Sequence, residues 1–255
     1  MVGAKNDAFY WRLHRTLRPF VQFYARPEIA GDRFAVETGG PVLLASNHAG
    51  HLWWDSLCLL ACFTGRPVGI IAHYWDATIA PLRIFLEKAG ASFLSRDVTA
   101  IGEDDPVVAR LKNGEAMAIY PEESYHTFSN RYTVFRFSPH VARYAELSGA
   151  PVVPVAVIGA EEAAACLMGY KKPGVPLHIS LPLPPILPFR ITLQFGEPVS
   201  YGALIEGAPR GLSGPALWQY GADQLQMRML ALMTPHRPRR ARASDIRYID
   251  HRGWW

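Results

Sequence analysis

The chain is 255 residues long, enough for one domain with a full core, and its three cysteines are too few for a disulfide framework. Apolar residues make up 49% of it and charged residues 19%, which is greasy for a soluble enzyme and in keeping with one that handles lipid. A net charge of +4 suits an anionic membrane surface or a nucleic acid equally, and no stretch approaches the roughly 20 apolar residues of a spanning helix.

Residues 8–24, AFYWRLHRTLRPFVQFY, predict an amphipathic N-terminal helix. Phe9, Leu13, Leu17, Phe20 and Tyr24 fall near one side and Arg12, Arg15 and Arg18 along another, with a kink or break expected at Pro19. Such a helix suits the membrane interface, or plain packing on the core. Short apolar runs bounded by glycine, proline or polar clusters predict strands at 41–45, 67–72, 91–94, 116–120 and 152–158. Helices are expected between them at 55–63, 81–89, 105–112 and 139–147, with Gly114 and Gly149 near the stops of the last two. This alternation predicts an α/β fold, a mixed central sheet with helices on its faces. Seven prolines from Pro173 to Pro198 rule out a helix through that stretch. It reads as an extended apolar loop, either a contact patch or a covering segment, leading into a strand at 190–195. Past a single domain of 1–235, residues 236–255 form a basic tail, expected to be flexible, with Arg237, Arg239, Arg240 and Arg242 in six residues and Trp254 and Trp255 at its end. Contact with anionic lipid would suit it. Nothing in the chain resembles a nucleic-acid-binding module, and no nucleic acid partner is expected.

The chemistry concentrates in SNHAGHLWWDSLCLL, residues 46–60. His48 sits just past a predicted strand, and Asp55 comes seven positions later in an apolar, Trp-rich stretch. An imidazole with a carboxylate to orient it is the minimum apparatus for taking a proton from an alcohol or amine. His51 and Asp55 make a second, shorter pairing, so spacing leaves the proton acceptor open between the two histidines. Cys58 and Cys62, four apart, read as one face of a buried helix. With Cys166 they lack metal-ligand spacing, and no metal is expected. Reduced thiols and the lack of a secretory leader point to the cytoplasm. Gly-x-Ser-x-Gly, Walker and Gly-x-Gly-x-x-Gly sequences are absent, which argues against a covalent serine esterase.

Residues 46–60 resemble the first motif of the PlsC-like glycerolipid acyltransferases, an Asn-His pair with an Asp after a short spacer. Here six residues separate His48 from Asp55, as in the branch described as lysophospholipid or diacylglycerol-acyltransferase-like. Asn47, His48, Ala49, Gly50, Leu52, Trp54 and Asp55 fit that pattern, and Trp53 stands where proline is common. Asn47 before it favours His48 as the base. GASFLSRD, residues 90–97, resembles the second motif and places Arg96 as a charged fork for a phosphate. Tyr120, Pro121 and Glu122 resemble the start of the third, in which Glu122 would grip the acceptor's hydroxyls. Glu123 and Ser124 stand where a glycine and its successor are usual. The negative charge of Glu123 should disfavour a phosphorylated acceptor and favour a neutral or cationic one. GAPVVPVAVIGAEEA, residues 149–163, resembles the fourth motif, and Gly-Glu-Pro at 196–198 also has a family counterpart. The resemblance covers about residues 40–200.

It implies acyl transfer from acyl-CoA or acyl carrier protein to a hydroxyl or amine of a lipid or small molecule, on a peripheral membrane protein. His48 is the expected base, oriented by Asp55. Asn47, Arg96, Glu122, Glu123 and Ser124 are expected substrate-binding residues. His51, Trp54, His73 and His126 are possible tunnel or acceptor contacts, while His140 reads as structural. No cofactor beyond the acyl donor is implied. The alternatives are a catalytically idle lipid- or carrier-binding member of the fold and a thioester hydrolase.

Overall fold

The strongest apolar runs form the middle of one sheet in the computed structural model, which describes residues 7–37, 39–49, 53–123, 126, 130–171, 178–182 and 186–245. Helix α1 (Asp7–Ala25), β1 (Glu28–Ala30) and α2 (Phe34–Glu37) lead into β2 (Val42–Ser46), α3 (Trp54–Ala61), β3 (Val68–Ala72), α4 (Ala80–Lys88), β4 (Ser92–Phe93), α5 (Pro106–Lys112) and β5 (Ala116–Ile119). Strand β6 (Thr133–Val134), α6 (His140–Ser148), β7 (Val152–Ile158) and α7 (Ala160–Ala163) come next. The hairpin β8 (Cys166–Lys171) and β9 (His178–Pro182), β10 (Thr192–Phe195), α8 (Tyr201–Ile205), α9 (Gly214–Met233) and β11 (Arg242–Ala243) complete the chain.

The central sheet has seven strands in the order β1-β10-β7-β2-β5-β3-β4. Strands β7, β2, β5, β3 and β4 run parallel, β10 is antiparallel to β7, and β1 is parallel to β10. Helices cover both faces, so the fold is a mixed α/β sheet with an N-terminal helix. The two-residue period of a strand sorts its side chains between two cores. Leu43, Ala45, Met117, Ile119, Val152 and Ile158 meet α5, α6 and α9 on one face. Val42, Leu44, Ala116, Ala118, Val153 and Val157 meet α1 and α3 on the other.

This topology makes a place for a ligand. The chain leaves β2 through α3 on one face to reach β3, whereas it leaves β5 through α6 on the other face to reach β7. The loops after the adjacent strands β2 and β5 therefore part, opening a crevice at the carboxyl ends of the strands, the usual binding position in open α/β sheets.

Three expectations need correction. Helix α1 runs through Pro19 without a break. Proline sacrifices one backbone bond, but burial of Tyr10, Val21 and Ala25 and the packing of Phe20 and Tyr24 on Trp54 hold both halves to the core. The proline-rich segment contains β9, paired antiparallel with β8. The basic tail is ordered at its start, because β11 pairs in parallel with β6. Residues 246–255 lie outside the described residues. No described helix is long and apolar enough to cross a membrane.

Candidate active site

Strand β2 delivers Asn47 and His48 into the crevice. Asn47 is fully buried, and its side chain prolongs the sheet where the backbone departs: Oδ1 accepts from Val157 N–H at 2.7 Å and Nδ2 donates to the Val157 carbonyl at 3.0 Å. An apolar residue there would orphan two buried backbone groups, at about 1–3 kcal/mol each. Asn47, expected among the substrate-binding residues, thus spends its amide on β7 and anchors the turn that presents His48.

Asp55 is fully buried in the first turn of α3, where a carboxylate is favoured by the helix dipole. Its Oδ2 accepts from Ala49 N–H at 2.9 Å, and its Oδ1 accepts from Ser56 N–H at 2.7 Å and Ser56 Oγ at 3.3 Å. Held from both sides, Oδ2 lies 2.5 Å from Nδ1 of His48. A carboxylate accepts only, so Nδ1 carries the proton and Nε2 is left as the basic nitrogen of the ring. The geometry joins His48 to Asp55. His51, the other candidate base, lies outside the described residues. The chain reaches α3 through Trp53, which takes a left-handed backbone (φ 55°) for which non-glycine residues pay strain.

From β5, Tyr120 packs its ring on His48 with centroids 4.7 Å apart. Burial and the nearby Asp55 push the Tyr120 phenol well up, so it stays neutral beside the imidazole. From the end of β3 come His73 and Asp76. His73 stacks on Tyr74, and its Nδ1 accepts from Trp75 N–H at 3.4 Å. Burial pushes the Asp76 carboxyl up, against the pull of a His73 backbone hydrogen bond and the nearby His48 imidazole.

Glu122 and His126 are placed otherwise than as acceptor contacts. Both are buried, and their side chains are hydrogen-bonded to each other. The other His126 nitrogen, Nδ1, is 2.8 Å from Glu161 Oε1, which also accepts from Tyr132 N–H at 2.9 Å. Burial pulls the His126 imidazole down, but the two carboxylates outweigh it and hold the group up at about 10. Burial likewise raises Glu122, only partly offset by His126. The unit binds the end of β5 to α7, with one oxygen of each carboxylate on the imidazole and the other, Glu122 Oε1 and Glu161 Oε2, buried without a hydrogen-bond partner among the described residues. Glu161 was not singled out in the sequence. The visible signal was two consecutive glutamates directly after the most apolar strand.

Glu123 occupies the expected glycine position with φ 57°, so the backbone keeps the left-handed turn that glycine would make freely. Its Oε1 lies 3.3 Å from Nδ1 of His140, which is also 2.5 Å from Ser138 Oγ. Burial raises the Glu123 carboxyl, but His140, Ser138 and the charge of His73 outweigh it and hold it below the usual range. His140 Nε2 donates to the Ser95 carbonyl at 3.0 Å, which ties this unit to the residue before Arg96. Arg96 itself is exposed past the end of β4. Trp54, expected near a tunnel, is buried against Phe20 and Tyr24 of α1. Ser124 lies outside the described residues. Among the described residues, no group of three or more His, Cys, Asp or Glu is placed to hold a metal ion.

One edge of the sheet therefore carries a histidine paired with a fixed carboxylate, a neutral phenol against its ring, and an exposed arginine two strands beyond β5. Comparison with known proteins matches a family model described as Acyltransferase to residues 28–158. Uncharacterized proteins of Mycobacterium bovis and Mycobacterium tuberculosis are 28% identical over 211 residues, covering 72% of this chain and 54% of theirs. The chain thus spans about half the length of those curated relatives. Among solved structures, the 1-acyl-sn-glycerophosphate (LPA) acyltransferase PlsC from Thermotoga maritima matches with a TM-score of 0.55 at 17% identity, covering 87% of this chain and 78% of that one. At that identity the likeness shows the fold.

Proposed function

Because the chain belongs to the acyltransferase family, with a PlsC-like fold, we propose that it moves a fatty acyl group from a thioester, acyl-CoA or acyl carrier protein, to a hydroxyl or amine of a lipid or small molecule. The observation that carries this reading is the 2.5 Å contact between His48 and an Asp55 fixed by two backbone N–H groups, in the crevice between β2 and β5. Nε2 of His48 takes the proton as the acceptor's oxygen or nitrogen attacks the thioester carbonyl. The tetrahedral intermediate collapses, the C–S bond breaks, and the imidazolium returns the proton to the departing sulfur. Ester or amide and free thiol result. Asp55 holds the tautomer and stabilises the charged ring without itself being protonated. Base catalysis supplies about 10²–10⁴-fold, so alignment of the two substrates must supply much of the rest.

Glu123 bears on the acceptor. Burial raises its carboxyl, but His140 and Ser138 outweigh this and hold it below the usual range, so Glu123 stays a carboxylate and its charge weighs against a phosphorylated acceptor beside it. Arg96, exposed on the same edge, is available for a phosphate. The test is product analysis with labelled thioester donors and a lipid extract. A labelled ester or amide supports transfer. Free acid alone would establish hydrolysis, and thioester or lipid binding without turnover would establish the idle reading.

A peripheral place on the membrane is supported by exposed apolar side chains near this edge. Phe20 and Phe23 of α1 are 51% and 77% exposed, and Trp53, two residues before Asp55, is 52% exposed. Ile84 and Phe85 of α4 extend the same rim, and Phe85 meets Phe9 of α1 edge-on. A rim of this kind suits the lipid headgroup boundary. Phe20→Ser/Phe23→Ser should lower partitioning onto phosphatidylcholine–phosphatidylglycerol vesicles by about 30-fold or more, since each phenyl contributes on the order of 1–2 kcal/mol when buried. Unchanged cosedimentation would remove α1 from the contact.

A further inference from the structure

Dense positive charge gathers at the β7 end of the strand edge that holds His48. Pairing of β11 with β6, Arg242 opposite Thr133, lays the chain after α9 beside the segment downstream of His126. Arg131, Arg239, Arg240 and Arg242, with Pro238 and Ala241, line one cleft of about 270 Å³. The segment is built in. Arg242 N–H donates to the Tyr132 carbonyl, its Nε donates to Thr133 Oγ1 at 2.9 Å, and Ser244 N–H donates to the Val134 carbonyl. Arg237 lies over the Tyr132 ring, 5.0 Å from its centroid. Glu162 of α7 answers part of the charge, 3.9 Å from Nη1 of Arg240, while also accepting from the Tyr132 hydroxyl. Arg239, Arg240 and Arg242 are exposed, and among the described residues the acceptors named above use a small share of the donors that their guanidinium groups offer.

We propose that this cleft binds the phosphates on the nucleotide half of a coenzyme A thioester, with the pantetheine arm lying over the strand edge toward His48. The inference rests on the reading of the chain as a thioester-dependent acyltransferase. Three observations favour this ligand. Guanidinium forks match phosphate oxygens in pairs. The guanidinium groups converge on one volume of about 270 Å³, the scale of a few phosphates. It also lies away from the apolar rim: β6 and α9 join the core on one face of the sheet through Val134, Met229 and Met233, whereas α1 joins the core on the opposite face through Val21 and Ala25. Glu162 is on the helix directly after β7, so the cleft sits at the same edge as the base.

The test compares the parent with Arg239→Ala/Arg240→Ala, both sites being exposed and outside the core. Calorimetry with adenosine 3′,5′-bisphosphate should show binding by the parent and a weakening of about tenfold or more in the variant. The KM for acyl-CoA should rise by a similar factor relative to the KM for the acyl-N-acetylcysteamine thioester, which lacks the nucleotide. Absence of bisphosphate binding by the parent, or equal binding by both proteins, would overturn the proposal. So would inorganic phosphate or anionic vesicles binding the cleft as tightly as the bisphosphate, or a KM change confined to acyl carrier protein. Bisphosphate binding that the variant loses, in a protein that turns over no thioester, would leave the cleft standing and remove the acyl-transfer reading instead.

Discussion

His48→Ala will lower acyl transfer by about 10²–10⁴-fold while leaving the fold almost as stable as the parent. The two effects separate because of how Asp55 is held. Removing the imidazole takes one partner from a buried carboxylate that keeps three others, Ala49 N–H, Ser56 N–H and Ser56 Oγ. No charge is left without donors, so the large penalty of an uncompensated buried ion does not arise. The measurement is kcat under saturating donor together with the denaturation midpoint. Retention of more than about a tenth of the activity would mean that another group takes the proton. Asp55→Asn is a poorer probe than it looks. Both oxygens of Asp55 accept from backbone N–H groups, so an amide in either orientation points its NH2 at a donor. That variant should lose stability and activity together, and only the histidine variant isolates the chemistry.

The elements that turned out most legible in the sequence are those whose pattern and burial agree. The run at 152–158 is β7 residue for residue, because a central parallel strand is buried on both faces and reads as one apolar stretch. Asp105 and Pro106 announced α5, and the Asp105 side chain caps it by accepting from Val107 N–H. Helix α9, the longest among the described residues, went unread. Gly214, Pro215 and Gly221 interrupt its propensity, and its apolar side chains spread around it because it packs on the sheet, α6 and α8 at once. At the site, the His48–Asp55 pair was legible because its two members are close in sequence and share a known spacing. The Glu122–His126–Glu161 unit was half legible. Positions 122 and 126 are four apart in sequence, but their third member arrives from α7 after β7, thirty-five residues further on, and only the sheet order brings it there. Glu123 shows the same limit in another way. Its charge was visible, whereas the histidine that lies beside it comes from the start of α6.

That buried unit also makes the largest stability prediction. His126→Ala will remove the cation between Glu122 and Glu161, both nearly inaccessible to solvent, and should cost about 3–5 kcal/mol. Against a total stability of about 5–15 kcal/mol this brings the protein close to unfolding. The cause is the pair of stranded carboxylates, so adding Glu122→Gln and Glu161→Gln should recover much of the loss. A cavity alone would leave it unrecovered. The pH dependence has a definite sign. The imidazole titrates near 10 in the fold and near 6.5 in the unfolded chain, so it binds its proton more tightly when folded. Its contribution is complete below about pH 6.5 and is lost as pH rises toward 10, since over that interval the unfolded state releases a proton that the folded state retains. The raised Glu122 carboxyl acts with the same sign, from the ordinary carboxylate range upward. Thermal midpoints of the parent should therefore fall between pH 6.5 and 10, and the His126→Ala/Glu122→Gln/Glu161→Gln protein should show a much shallower fall. Parallel curves would mean that the three side chains do not share a proton-linked unit in solution.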